Sequence, residues 1–350
     1  MTIKKDKVLE VNNLSVSFRV NEGTVKAVRG ISFDLHRGET VAIVGESGSG
    51  KSVSIRTIMG ILTKNAIIES GEILYDGMDL TKVSEDDFHK IRGKRIGLIF
   101  QDPLSALNPI MKVGKQITEV LRLTRKMSKA EAYKEALSLM ESVGISDAER
   151  RINQYPFQFS GGMRQRVVIA IALAGEPEVL ICDEPTTALD VTVQAKILEL
   201  INKIKEERDL SVIFITHDLG VVANIADRVN VMYAGKIVEK GTSEEIFFEP
   251  AHPYTWALLS SMPDLETKER LAAIPGTPPN MVHPPKGDAF AARSEYAMQI
   301  DYEEEPPYFR LSDTHLAATW LLHPKAPKVK RPEVLEERIA RMKGGAPSDQ

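Results

Sequence analysis

An α/β fold with a mostly parallel sheet, an N-terminal antiparallel β part, a helical subdomain and a C-terminal extension is predicted from three observations. Short apolar runs alternate with long helical periodicities between residues 40 and 215, the pattern of strand–helix–strand units. A glycine-rich segment at 45–52 joins one such run to one such helix. The chain then changes character after about residue 242, where proline becomes dense.

In order along the chain, residues 8–44 read as short β segments separated by turns, with Val16, Phe18 and Val20 alternating with polar neighbours. Thr40 to Val44 is a buried-strand run that ends at Gly45. From Lys51 the period becomes helical, with Val53, Ile55, Ile58 and Met59 on one face. Arg95 to Phe100 is strand-like. The stretch 112–174 is helical throughout, with Val113, Ile117, Val120 and Leu121 leading and residues 130–143 following a polar break, so a helical subdomain over about 105–175 is expected. Val179 to Cys182 and Val212 to Ile215 are further strands. They flank a helix that starts near Asp190 and buries Val193, Ile197, Leu200, Ile201 and Ile204. Beyond 242 regular strands are expected to stop, and the chain to end in a charged helical tail. A boundary near 240–265 divides the chain into 1–260 and 261–350.

Composition narrows the function classes. The 350 residues are 43% hydrophobic and 27% charged, an ordinary globular balance. A formal net charge of −4 supplies no basic field to recruit nucleic acid or anionic lipid. No run approaches the roughly 18 apolar residues of a membrane-spanning helix, and the charged start, Met-Thr-Ile-Lys-Lys-Asp-Lys, is not followed by a signal-peptide core. The lone cysteine, Cys182, rules out an intramolecular disulfide framework and reads as a small buried hydrophobe rather than a nucleophile.

The chemistry is carried by three segments. Gly45-Glu46-Ser47-Gly48-Ser49-Gly50-Lys51-Ser52 matches G-x-x-x-x-G-K-[ST] between a strand and a helix. Its glycines let backbone N–H groups turn inward onto phosphate oxygens, and the helix beginning at Lys51–Ser52–Val53 presents its positive end to the same anion. Lys51 suits the β and γ phosphates, and the Ser52 hydroxyl suits Mg²⁺. Val179 to Glu184 is an apolar strand ending in two carboxylates. Asp183 is placed to hold Mg²⁺, and Glu184 to orient or deprotonate an attacking water. Phe159-Ser160-Gly161-Gly162-Met163-Arg164-Gln165-Arg166 opens a helix with a second cluster of hydroxyl and backbone donors. An ordinary helix cap explains it within one chain; a second phosphate nest makes sense if it completes the site of another chain.

With these residues in view, the sequence resembles the nucleotide-binding domain of ABC ATPases over roughly 8–260, with Met163 where that family's LSGGQ signature usually has Gln. The resemblance implies ATP and Mg²⁺ as ligands. It assigns Gln101, in Ile99-Phe100-Gln101-Asp102-Pro103, to the loop glutamine that senses Mg²⁺ and water. Ala188-Leu189-Asp190 matches the D-loop, and His217 the switch histidine that meets the γ-phosphate. Phe18 matches the aromatic that stacks on adenine, although a strand-core role also fits it. A narrower resemblance, carried by Phe157 to Arg166, His252-Pro253-Tyr254-Thr255 and Ile274-Pro275-Gly276-Thr277-Pro278-Pro279, is to the oligopeptide/dipeptide/nickel importer ATPases, closest to the oligopeptide importer subunit of Gram-positive type. Many relatives carry four cysteines in the extension. Here Asp288, Ser294, Asp301 and Thr319 occupy those positions, and they lack the thiolates an iron–sulfur cluster needs, so no cluster is expected.

The resemblance further implies a second, homologous ATPase subunit, two transmembrane permeases, and an extracellular binding protein acting indirectly. Nucleic acid is not an expected partner. The chain is expected at the cytoplasmic face of the cell membrane as a peripheral subunit, and the extension to contact the ATPase partner. Import of dipeptides or nickel, and a soluble ABC ATPase without a membrane role, are the competing readings.

Overall fold

The structure is a computed structural model that describes residues 6–187, 189–262 and 274–343. The chain opens with two 14-residue strands, β1 (Lys7–Val20) and β2 (Gly23–His36), followed by β3 (Thr40–Val44) and α1 (Lys51–Ile58). Next come β4 (Ala66–Tyr75), β5 (Met78–Asp79), α2 (Glu85–Ile91) and β6 (Ile96–Ile99). The helical part holds α3 (Pro103–Ala106), α4 (Val113–Thr124), α5 (Lys129–Ser142), α6 (Ala148–Arg151) and α7 (Gly161–Leu173). Then follow β7 (Val179–Asp183), α8 (Val191–Arg208), β8 (Ser211–Thr216), α9 (Leu219–Ile225), β9 (Arg228–Tyr233), β10 (Lys236–Thr242), α10 (Ser243–Phe248) and α11 (Pro253–Ser260). The extension adds α12 (Gln299–Glu303), β11 (Phe309–Arg310), β12 (Leu316–Ala317) and α13 (Glu333–Lys343).

Two sheets result. The first is antiparallel, in the order β2-β1-β4-β5. The second runs β11-β12-β10-β9-β3-β8-β7-β6. Its strands β9, β3, β8, β7 and β6 are parallel neighbours, and β10, β12 and β11 join antiparallel. Every residue of β3, β7 and β8 is buried, which is why they read as unbroken apolar runs rather than alternations.

Two expectations need correcting. The N-terminal β segments are not short: β1 and β2 are long strands whose pairing register shifts at several bulges, and these shifts break the period-2 pattern into pieces. Nor do strands stop at 242. Strand β12 pairs with β10 through Glu239–Ala317 and Lys240–Leu316, and β11 pairs with β12. Pairings of two residues are too short to leave an alternation in sequence, yet they cover the edge of β10.

Helix starts follow local chemistry. Ser128 and Glu131 form a reciprocal capping box on α5, and Asp190 caps α8 through Val193 N at 2.9 Å. Helix α8 buries Ile197, Leu200, Ile201 and Ile204, and Val193 packs half-buried beside them.

The apolar interior falls into three clusters. One joins the helical part to α8 and the underside of the parallel sheet. A second lies between the two sheets and includes Ile55 and Ile58 of α1. The third brings Ala42, Val44, Val229 and Val231 of the sheet together with Tyr254, Trp256, Phe290, Leu335 and Ile339. Residues on both sides of 263–273 therefore share one core. Positions 263–265 of the expected boundary, and the tail after 343, lie outside the described residues.

Candidate functional site

The 45–52 segment leaves β3, curls, and enters α1. Gly45 has φ +152°, and a Cβ there would fall 2.0 Å from the Met232 carbonyl oxygen; Gly50, at φ +104°, would bring one 2.5 Å from the Ala27 carbonyl oxygen. Only glycine meets both demands at once. With no acidic residue in its first turn, α1 keeps its positive end for an anion.

Lys51 is buried, and its Nζ donates to the carbonyl oxygens of Gly45 at 2.7 Å and Glu46 at 2.9 Å. Burial lowers its pKa, against the pull of the Glu184, Asp183 and Glu46 charges. The Ser49 hydroxyl is buried without a hydrogen-bond partner among the described residues, an orphan in a loop built to receive oxygens. Ser52 Oγ donates to Asp183 Oδ1 at 2.9 Å. Burial raises the Asp183 pKa, and the Ser52 bond opposes that rise. Two hard oxygens so placed suit Mg²⁺.

Glu184 follows immediately, with φ +46°, a left-handed conformation uncommon for a non-glycine residue. Its Oε2 accepts from Gln101 Nε2 at 3.0 Å and from Thr187 Oγ1 at 3.0 Å, and lies 3.3 Å from His217 Nδ1. Residues 83 and 33 positions away thus converge on one carboxylate oxygen.

These groups line a cavity of about 850 Å³, whose walls include Glu46, Ser47, Gly48, Gly50, Lys51, Ser52, Val53, Gln101, Glu184 and His217. That volume suits a ligand of nucleotide size. Gly45, Ser49 and Asp183 stand behind the lining, bonded to it or buried beneath it.

The remaining expected residues lie elsewhere. Phe18 is half-buried on β1, packed against the cluster between the sheets, and does not line the cavity; Ala27 of β2 does. Ser160, Gly161, Gly162 and Asp190 are also absent from its walls. Ser160 Oγ caps α7 by accepting from Met163 N at 3.4 Å. The side chain of Leu189 comes within 3.7 Å of a Cβ built at Gly161, so the signature and the start of α8 are neighbours. Ala188 lies outside the described residues. Met163 Sδ, in the departed signature position, is 3.8 Å from Arg151 Nη1. Cys182 is fully buried in β7, and burial pushes its thiol pKa up.

In the extension, Asp288, Ser294, Asp301 and Thr319 each accept a backbone N–H, from Phe290, Tyr296, Met298 and Leu321 respectively. Among the described residues, no three His, Cys, Asp or Glu side chains are grouped to hold a metal ion.

Sequence reasoning missed several wall residues. Thr187 carried a faint signal, a hydroxyl three residues beyond Glu184. Leu258, Ser261, Ile274 and Pro278 also line the cavity, and nothing in their spacing marks them.

A phosphate loop that leaves β3 of a parallel sheet, with an acidic pair at the end of β7 one strand removed across β8, defines a P-loop nucleotide hydrolase of cassette type. Comparison with known proteins narrows this. Residues 28–187 match the ABC transporter family, and residues 238–300 match the oligopeptide/dipeptide transporter C-terminal region. The oligopeptide transport ATP-binding protein OppD of Bacillus subtilis is 59% identical over 97% of this chain and 96% of its own length. The dipeptide transport ATP-binding protein DppD of Lactococcus lactis subsp. cremoris is 60% identical over 93% and 94%. The dimeric structure of MJ0796, a bacterial ABC transporter cassette, superposes with a TM-score of 0.61 at 30% identity, covering 67% of this chain and 98% of that one. The chain belongs to the ABC transporter ATP-binding proteins, in the branch that carries the oligopeptide/dipeptide C-terminal region. It is an ATP-binding, ATP-hydrolysing subunit.

Proposed function

We propose that this chain drives uptake of short peptides by hydrolysing ATP beneath membrane permeases. The observation that carries the ATPase chemistry is the Glu184 carboxylate, gathered with Gln101, Thr187 and His217 at a cavity that Lys51 and Ser52 also line. Glu184 orients and deprotonates the attacking water, and His217 holds the γ-phosphate. Ser52, Asp183 and Gln101 would hold Mg²⁺, and the ion would supply charge neutralisation to the phosphates. Phe18 remains our assignment for the adenine-stacking aromatic.

Ser160, Gly161, Gly162 and Asp190 serve a second subunit, a reading supported by their place outside this chain's own cavity and by the donor cluster at the start of α7. ATP is sandwiched between the phosphate loop of one chain and the signature of the other. The partner is a homologous ATPase subunit, forming a heterodimer. ATP contacts on both faces exist only in the closed pair, so binding favours closure and hydrolysis releases it. Two permeases receive that motion through the Gln101 loop and the helical part, 105–175. An extracellular binding protein delivers the cargo. No helix of the described residues is long and apolar enough to cross a membrane, and the chain works as a peripheral subunit at the cytoplasmic face. Peptide cargo is supported by the matched extension and by relatives named for oligopeptide and dipeptide transport.

The test is reconstitution with two permeases and a peptide-binding protein in vesicles. Peptide accumulation that needs ATP, and stops with Glu184→Gln, is expected; ATP turnover indifferent to any peptide-loaded binding protein would sink the transport reading.

A further inference from the structure

The Arg293 guanidinium, in the extension, reaches the phosphate loop across 247 residues of sequence. Its Nη1 and Nη2 donate to Glu46 Oε2 at 2.5 Å and Oε1 at 2.9 Å, a two-point grip on one carboxylate. The same guanidinium donates from Nε to the Pro275 carbonyl oxygen at 2.7 Å and from Nη1 to Tyr233 Oη at 3.2 Å. Its side chain is only 4% exposed, and its charge lies 5.7 Å from the Tyr233 ring centre and 5.8 Å from that of Phe290. Glu46 is held a second way, because its backbone N–H donates to Tyr254 Oη at 2.8 Å.

This clamp touches the nucleotide cavity at two places. Glu46 lines the cavity and carries a negative charge beside the surface meant for phosphates. Pro275, held by Arg293, sits between Ile274 and Pro278, which form part of the same wall. Lys51, the cation opposite, already donates to the Glu46 carbonyl oxygen, so a shift of Glu46 moves a partner of the phosphate-binding lysine.

We propose that Arg293 is a positioning residue for nucleotide binding. It neutralises and anchors the Glu46 carboxylate so that the phosphate loop does not repel its anionic ligand, and it ties the 274–278 wall to that loop. The extension thereby contributes to the ATP site of its own chain.

The test is ATP titration of the full-length chain by calorimetry, with thermal unfolding recorded for each variant. Arg293→Ala exposes an unpaired Glu46 charge to the phosphates and is expected to weaken ATP binding about tenfold. Adding Glu46→Gln to Arg293→Ala removes the repelling charge and is expected to bring affinity back to within about threefold of wild type. Salt is expected to narrow the gap between Arg293→Ala and wild type, because it screens like-charge repulsion. A purely structural latch predicts no recovery on removing Glu46's charge. Unchanged ATP affinity in Arg293→Ala, or a double variant no better than the single, overturns the proposal. If Arg293→Ala does not fold, Arg293→Gln with and without Glu46→Gln carries the same comparison.

Discussion

Glu184 is where local strain and chemistry meet. A left-handed glutamate at the end of β7 costs conformational energy that glycine would avoid, yet it turns the carboxylate toward Gln101, Thr187 and His217. Glu184→Gln keeps that shape and its hydrogen-bond reach but cannot take a proton. Phosphate release is expected to fall by about two orders of magnitude or more, while bound ATP persists and the dimer accumulates on size-exclusion chromatography. Unchanged turnover would remove Glu184 from the water-activating role. Lys51 differs in kind: its charge is buried, held by the loop carbonyls of Gly45 and Glu46 and facing the Glu184 and Asp183 carboxylates. Lys51→Ala is expected to lose ATP binding itself, which a fluorescent ATP analogue reads directly.

At the scale of elements, the extension is bound by packing. Helix α13 lays Leu335 and Ile339 into the cluster that holds Trp256 of α11 and Val231 of β9, and Arg338 donates to the Leu259 and Met262 carbonyl oxygens at 2.6 Å each. Leu335 is fully buried, so Leu335→Ala is expected to cost about 2–5 kcal/mol in urea unfolding. A value near zero would mean α13 does not dock in solution. Removal of residues 265–350 would strip this packing and the Arg293 clamp together. It therefore bears on nucleotide binding as well as on pairing with a second subunit.

Buried ionisable groups set how the whole molecule responds to pH. Asp288, with a side chain 9% exposed and 3.9 Å from His252 Nε2, is pushed by burial up to about 6 from an ordinary value of 3.8. The folded chain therefore holds that proton more tightly than the unfolded chain, and the group adds stability as pH falls through 6. His252, buried as the neutral ring and lowered to about 4 from 6.5, acts oppositely and loses stability as pH falls from 6.5. The Asp288 contribution is isolated by Asp288→Asn, whose amide oxygen can still accept from Phe290 N. The wild-type melting temperature is expected to rise relative to this variant between pH 7 and pH 5, and parallel profiles would show that Asp288 does not titrate there. At the same scale, a site split between two chains predicts that ATPase activity per subunit rises with subunit concentration. Constant specific activity over a hundredfold range would exclude the shared site.

The chain order of residues was enough to predict the phosphate loop, the Asp183–Glu184 pair and the parallel core, because each is a local pattern: glycines where the backbone must curl, and apolar runs where both sheet faces are covered. Strands β11 and β12 left no such trace, since two-residue pairings have no period to detect. The hydrogen bonds and the ion pair that meet at Arg293 and Glu46 were equally silent. Contacts between residues 247 positions apart are created when Tyr233, Tyr254 and Phe290 pack into one aromatic cluster. Sequence thus determined the chemical groups and their local geometry. Tertiary packing alone decided that the extension forms part of the nucleotide cavity, because only burial of distant apolar surfaces brings those side chains together.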